Sequence, residues 1–114
     1  MSAELIGATG IAGRYATALF ELSEEDKLLD RVTDDLSQLG RMIENNADLT
    51  RLIRSPVISR EDQGRAIAAV LEKAKMCELV RNFVGAVARN RRLFALPAMI
   101  AAYQALLAQK RGEA

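Results

Sequence analysis

The chain has 114 residues, half of them hydrophobic and 27% charged, which suits one globular domain with one core and excludes a disordered chain. One cysteine and no histidine exclude an internal disulfide, Cys–His catalysis and His-containing zinc sites. The net charge is +1, yet residues 1–50 hold ten acids and four bases, whereas residues 51–114 hold twelve bases and five acids.

Alanine and leucine abound, aromatics are 4% and prolines number two, so helices are favoured over sheet. Residues 1–10 read as a flexible lead-in. Glu4 stands where a signal peptide needs positive charge, so none is expected. The first helix is predicted from Ile11 to about Glu24. It is apolar on two stripes, Ala12, Ala16, Leu19 and Phe20 on one, Ile11, Tyr15, Ala18 and Leu22 on the other. One stripe suffices to dock a helix on a core. The second means that the helix is either wrapped by neighbours or open to a partner.

Ser23-Glu24-Glu25-Asp26 has capping-box spacing and predicts the start of a second helix, which runs to about Asn45. Its stripe is Leu28, Leu29, Val32, Leu36, Leu39, Met42 and Ile43. A short third helix begins near Asp48, carries Leu49, Leu52 and Ile53, and is stopped by Pro56. Ser59 caps a fourth helix with Ile67, Val70, Leu71 and Ala74 inward. The fifth spans about Cys77–Arg89 with Val80, Phe83, Val84 and Val87 inward. The sixth begins near Phe94, because Pro97 is tolerated only in a first turn. Its stripe is Leu96, Met99, Ile100, Tyr103, Leu106 and Leu107. No strand pattern is present, and the short links predict an all-α, six-helix antiparallel bundle over residues 11–110. The uncharged run Leu93–Gln109 covers only about 25 Å as a helix and reads as buried rather than membrane-spanning.

Little here suggests chemistry. Gly7, Gly10 and Gly13 precede a helix, but no strand comes before them and no Gly-Lys-Ser/Thr follows, so a phosphate loop is not expected. Cys77 reads as an inert thiol that suits a reducing compartment. No metal and no cofactor are expected. Arg89, Arg91 and Arg92 form a basic knot that reads either as cations at a helix C-terminus or as an RNA contact. On the fifth helix, Asn82, Ala86 and Asn90 form an off-core line to match the second stripe of the first helix. Ala18 and Ala86 are small enough to admit a foreign helix between the two elements.

Gly13-Arg14-Tyr15-Ala16-x-Ala18-Leu19-Phe20-Glu21-Leu22 resembles the opening helix of the delta subunit of bacterial F-type ATP synthase, whose mitochondrial counterpart is the oligomycin-sensitivity-conferring protein. Asn82-Phe83-x-x-x-x-Ala88-x-Asn90-x-Arg92-Leu93 with Leu96-Pro97, and Leu52-x-x-x-Pro56-x-Ile58, agree in order and spacing. The family's usual Glu-Asn pair is Arg89-Asn90 here, which would change the charge at the groove edge.

The resemblance implies a non-catalytic stator component of the enzyme, used in ATP synthesis and hydrogen ion transport. The implied role is to hold the N-terminal segment of an alpha subunit, as a helix, in a groove between the first and fifth helices. Tyr15, Ala18 and Leu22 would line one wall, Ala86 and Asn90 the other. It further implies that residues 111–114 begin a linker to an absent C-terminal domain that would join the peripheral-stalk b subunits. The expected location is peripheral, at the cytoplasmic face of a bacterial inner membrane, with no membrane insertion and no nucleic acid. An all-helical, RNA-binding antitermination factor is the alternative. The basic second half suits it, and the acidic first half does not.

Overall fold

A computed structural model describes residues 10–112. The predicted lead-in, apart from Gly10, and the last two residues of the predicted linker lie outside the described residues. Six α-helices are described: α1 (Ile11–Glu25), α2 (Leu29–Asn45), α3 (Ala47–Arg54), α4 (Arg60–Lys73), α5 (Glu78–Arg89) and α6 (Leu96–Lys110), with a 3-10 turn at Leu93–Ala95 before α6. Among the described residues there is no strand, and no helix is long and apolar enough to cross a membrane.

The ends follow local chemistry. Asn46 closes α2 in extended geometry and caps α3, its side chain accepting from the backbone N–H of Asp48 and Leu49. Ser59 caps α4 by accepting from Asp62 N–H at 3.1 Å. Pro97 falls in the first turn of α6, as expected. The Ser23 capping box does not form. Ser23 is fully buried inside α1 and its hydroxyl donates to Leu19 O at 2.7 Å. α1 ends instead in a Schellman turn: Lys27 takes φ 58° and Leu28 N–H reaches back to Ser23 O at 2.8 Å. The same turn ends α4 at Lys75 and α5 at Arg91, with Met76 bonded to Leu71 O and Arg92 to Val87 O. Each left-handed position carries a long cation where glycine would be the easy choice.

α1 and α6 lie side by side and run the same way, since Phe20 meets Tyr103 edge-on at 5.6 Å and Glu24 pairs with Lys110 at 2.6 Å. α2 runs against both. Thr33 lies 3.2 Å from the Tyr103 hydroxyl, Gly40 faces Ile100, and Asp30 pairs with Arg111. Tyr103 is fully buried, and its hydroxyl lies between Thr33 and the Leu29 carbonyl. Phe20, Ile100 and Tyr103 join Leu19, Leu36, Leu39, Ile53, Ile67, Val80, Val84 and Leu96 in one core. The pairs Glu24–Lys110 and Asp30–Arg111 join the acidic first half to the basic second half at one end of the bundle. They are solvated, so they contribute little to stability.

One ion pair has a buried carboxylate and an exposed guanidinium. The Asp35 carboxylate, on α2 and buried, accepts from Arg31 Nε at 3.2 Å and from Cys77 N–H at 2.8 Å. Arg31 also donates to Lys75 O at 2.8 Å. The pair therefore grips both sides of the α4–α5 corner, with Asp35 satisfying the backbone N–H of the N-cap residue Cys77 itself.

Candidate partner-binding site

The two stripes of α1 separate cleanly. Ala12, Ala16, Leu19 and Phe20 are core, whereas Ile11, Ala18 and Leu22 are exposed, Leu22 by 45%. α1 is therefore not wrapped on all sides: its second stripe faces solvent. α5 shows a comparable split. Val80, Val84 and Val87 are buried, Phe83 and Ala86 are half-buried, and Asn82 and Asn90 are exposed. Phe83, expected in the core, lies instead at the α1–α5 seam.

Tyr15 joins the two elements. Its ring meets Phe83 edge-on at 6.3 Å. Its hydroxyl accepts from Asn90 Nδ2 at 2.8 Å and from Arg92 Nη1 at 3.2 Å, and the Arg92 guanidinium lies 5.7 Å from the ring centroid. Tyr15 and Asn90, expected on opposite walls, thus touch, and the groove is bridged at that point. Ala18 and Leu22 continue along α1 beyond the bridge with no side chain longer than Leu22 on the stripe. Arg92 was not among the expected wall residues, and Phe83 was expected to point inward. Both are placed here by Tyr15, a tertiary partner 77 residues from Arg92 that local patterning does not reveal.

Arg89 belongs to another face. It lines a furrow with Gly85 and Ala88 of α5 and Arg60, Gly64 and Ala68 of α4. Its charge therefore borders α4 rather than the α1–α5 groove. The remaining basic knot is occupied within the fold. Arg81 Nε donates to Met76 O at 3.1 Å, and Arg91 Nη1 donates to Ile58 O at 2.9 Å. These bonds tie Arg81, Arg91 and Arg92 to carbonyls and to a tyrosine of the fold.

Nothing in this arrangement resembles a reaction centre. Burial pushes the Cys77 thiol above its ordinary pKa, with the Asp35 carboxylate adding to the rise, so the thiol is held in its less reactive form. Among the described residues, no group of three or more His, Cys, Asp or Glu could hold a metal ion. The face offers packing, an apolar strip between two helices with a polar bridge.

Comparison with known proteins shows the family. Residues 11–114 match the family model described as ATP synthase delta (OSCP) subunit. "ATP synthase subunit delta" of Parvibaculum lavamentivorans is 57% identical over 105 residues, covering 92% of this chain and 54% of that protein. Its namesake in Rhodospirillum centenum is 54% identical over 113 residues, covering 99% of this chain and 61% of that protein. The chain thus spans between half and two thirds of the length of these relatives. A chain of the Polytomella F-ATP synthase, from a cryo-EM structure in rotary substate 2C focussed on the F1 head and rotor, superposes with a TM-score of 0.80. That pair is 26% identical and covers 90% of each chain. The bundle, the open stripe on α1 and the near-complete match from Ile11 onward converge: the chain belongs to the ATP synthase delta (OSCP) subunit family.

Proposed function

We propose that this bundle is a non-catalytic stator element that holds the N-terminal segment of an alpha subunit, as an amphipathic helix, in the groove between α1 and α5. The observation that carries the reading is the exposed stripe Ile11, Ala18 and Leu22 on α1, next to Tyr15, which bridges to Phe83 and Asn90. A helix laid there covers apolar surface on both elements, and the small side chains of Ala18 and Ala86 allow close approach. The head-focussed Polytomella structure that contains the similar chain supports a place beside the F1 head. In this reading a further domain, which the longer relatives have room for, joins the peripheral stalk and keeps the head from turning with the rotor. The assembly is then peripheral to a bacterial inner membrane, on its cytoplasmic face.

Calorimetric titration of the chain with a synthetic alpha-subunit N-terminal peptide tests this, beside the variant Ala18→Asp. Ala18 is exposed, so the variant should keep its helical circular dichroism. A carboxylate buried under the docked helix without a cation should weaken binding at least about tenfold. Normal binding by the folded variant would sink the reading.

A further inference from the structure

Arg54 and Arg91 line one cleft of about 260 Å³, between the α3–α4 link and the turn that leads into α6. Arg54 is the last residue of α3 and makes no ion pair among the described residues. Arg91 follows α5 at φ 58°, and its Nη1 donates to the Ile58 carbonyl at 2.9 Å. That bond holds the guanidinium at the link and leaves its other N–H groups for other acceptors. Ser55 borders the same cleft. Its hydroxyl oxygen accepts from Val57 N–H at 3.3 Å and from Ile58 N–H at 3.4 Å, which leaves the hydroxyl proton to donate.

Among the described residues no carboxylate lines this cleft. Asp48, which borders a neighbouring cleft together with Arg54, pairs with Arg51. Gln63, buried in the lining, gives its Nε2 to Leu52 O at 2.9 Å. The cleft therefore offers two positive charges and a hydroxyl donor with no anion of the fold to answer them. Guanidinium groups present forks of parallel N–H donors, the geometry that oxyanions accept.

We propose that this cleft binds a phosphate dianion, free or as the monoester of a small molecule, held by Arg54, Arg91 and the Ser55 hydroxyl. Charge selects the dianion. A carboxylate or a phosphodiester carries one negative charge and leaves one guanidinium unanswered, so a nucleic-acid backbone does not suit the site. Size selects a small ligand, because the cleft is smaller than the roughly 300–1,000 Å³ of pockets for drug-sized molecules. The exposed Phe94 ring, beside Pro56 and Leu93 in the lining, gives the organic part of a monoester an apolar wall. None of Tyr15, Ala18, Leu22, Ala86 and Asn90 lines this cleft, so the proposal does not depend on the groove reading.

Calorimetric titration of the chain with inorganic phosphate, phenyl phosphate and dimethyl phosphate tests this, with the amide signals of Val57 and Ile58 followed by NMR. The same titrations are run on Arg54→Gln, on Arg91→Lys and on Arg65→Gln, which removes the same charge from an exposed ion pair on α4. Circular dichroism verifies that each variant folds. Inorganic phosphate and phenyl phosphate should bind saturably and shift both amides, and the tighter of the two identifies the source of the anion. Arg54→Gln should weaken binding about tenfold, Arg91→Lys should weaken it by loss of the fork, and Arg65→Gln should leave it unchanged. Dimethyl phosphate should not bind. Phenyl phosphate should bind less tightly at pH 5 than at pH 8, because a phosphomonoester takes up its second proton at about pH 6 and no residue lining the cleft titrates in that range. The proposal is overturned if neither phosphate saturates, if Arg54→Gln binds as the parent does, if Arg65→Gln weakens binding as much as Arg54→Gln, or if dimethyl phosphate binds as tightly as the dianions.

Discussion

The hydroxyl of Tyr15 accepts a hydrogen bond from Asn90 across the seam between α1 and α5, at 2.8 Å. This bond, with that from Arg92, fixes where the tyrosine ring stands and therefore where the groove narrows. Tyr15→Phe keeps the ring against Phe83 and removes the acceptor. Both donors reach solvent or are half-exposed, so they can bond to water instead. The expected loss is about 0.5–1.5 kcal/mol in urea unfolding, with the slope of the transition unchanged. A loss above about 3 kcal/mol would mean that the bridge is a core element rather than the edge of a groove.

Leu36→Ala should cost about 2–5 kcal/mol, since Leu36 is 1% exposed in the middle of the core. Phe83→Ala should cost less, because one side of the ring already meets solvent and its aromatic partner is Tyr15. A double-mutant cycle between Phe83 and Tyr15 should show coupling of about 0.5–1.5 kcal/mol. Equal losses at Leu36 and Phe83 would place Phe83 in the core, where its heptad-like spacing had put it.

Helix existence and type were legible because each segment carries a clear apolar stripe. The α3 and α4 starts were legible too, because Asn46 and Ser59 cap through their own side chains. The α1–α2 boundary was not. Ser23-Glu24-Glu25-Asp26 satisfies the capping-box pattern, but the pattern says nothing about burial, and the serine bonds back to Leu19 O inside the preceding helix. The true stop, Lys27, is invisible because a lysine does not announce a left-handed residue as glycine does. At the site, the α1 stripe was readable from periodicity alone. The Tyr15–Arg92 contact and the assignment of Arg89 to the α4 side were not, because both depend on how α5 is rotated against its neighbours.

The left-handed lysines make a prediction about stability. Lys27→Gly and Lys75→Gly relieve the Cβ clash at φ 58° and 59°, worth about 1–2 kcal/mol, but enlarge the freedom of the unfolded chain by about 0.4–1 kcal/mol. Each should therefore stabilise modestly, by up to about 1 kcal/mol. Lys27→Val, β-branched at the same φ, should destabilise. Thermal melts of the three variants check this, and destabilisation by both glycines would show that the lysine side chains contribute more than the backbone strain removes.

Asp35 links the α4–α5 corner to the thiol beside it. Asp35→Ala leaves the Cys77 N–H without its acceptor, while the half-exposed Arg31 turns to water, and should cost about 1–3 kcal/mol. Asp35→Asn keeps one acceptor oxygen, so it should cost less and leave the fold intact. The aspartate raises the Cys77 pKa both through its hydrogen bond and through its charge, while burial, the larger cause, remains in the variant. The thiol pKa should therefore fall in Asp35→Asn. Alkylation rates measured from pH 7 to 10 should rise at a lower pH in the variant than in the parent. Superimposable profiles would show that the carboxylate does not act on the thiol.

The salt dependence of binding separates helix packing from phosphate recognition. In the proposed groove, Tyr15, Ala18, Leu22 and Ala86 would offer few charges besides Arg92, so docking a peptide there should bury apolar surface and give a negative heat-capacity change. Its affinity should fall only modestly as salt rises. An RNA face built on Arg81, Arg89, Arg91 and Arg92 would behave otherwise. Each phosphate neutralised contributes about −0.7 to the slope of log affinity against log salt for a single strand, so four contacts give roughly −3. Three of those arginines are already bonded to Met76 O, Ile58 O and Tyr15, and turning them outward would break those bonds. Titrations with the alpha-subunit peptide and with a single-stranded RNA, across a salt series, should give a shallow slope for the peptide and no measurable RNA binding. A steep slope with RNA and an inert peptide would reverse the functional assignment and require those arginines to release their present partners.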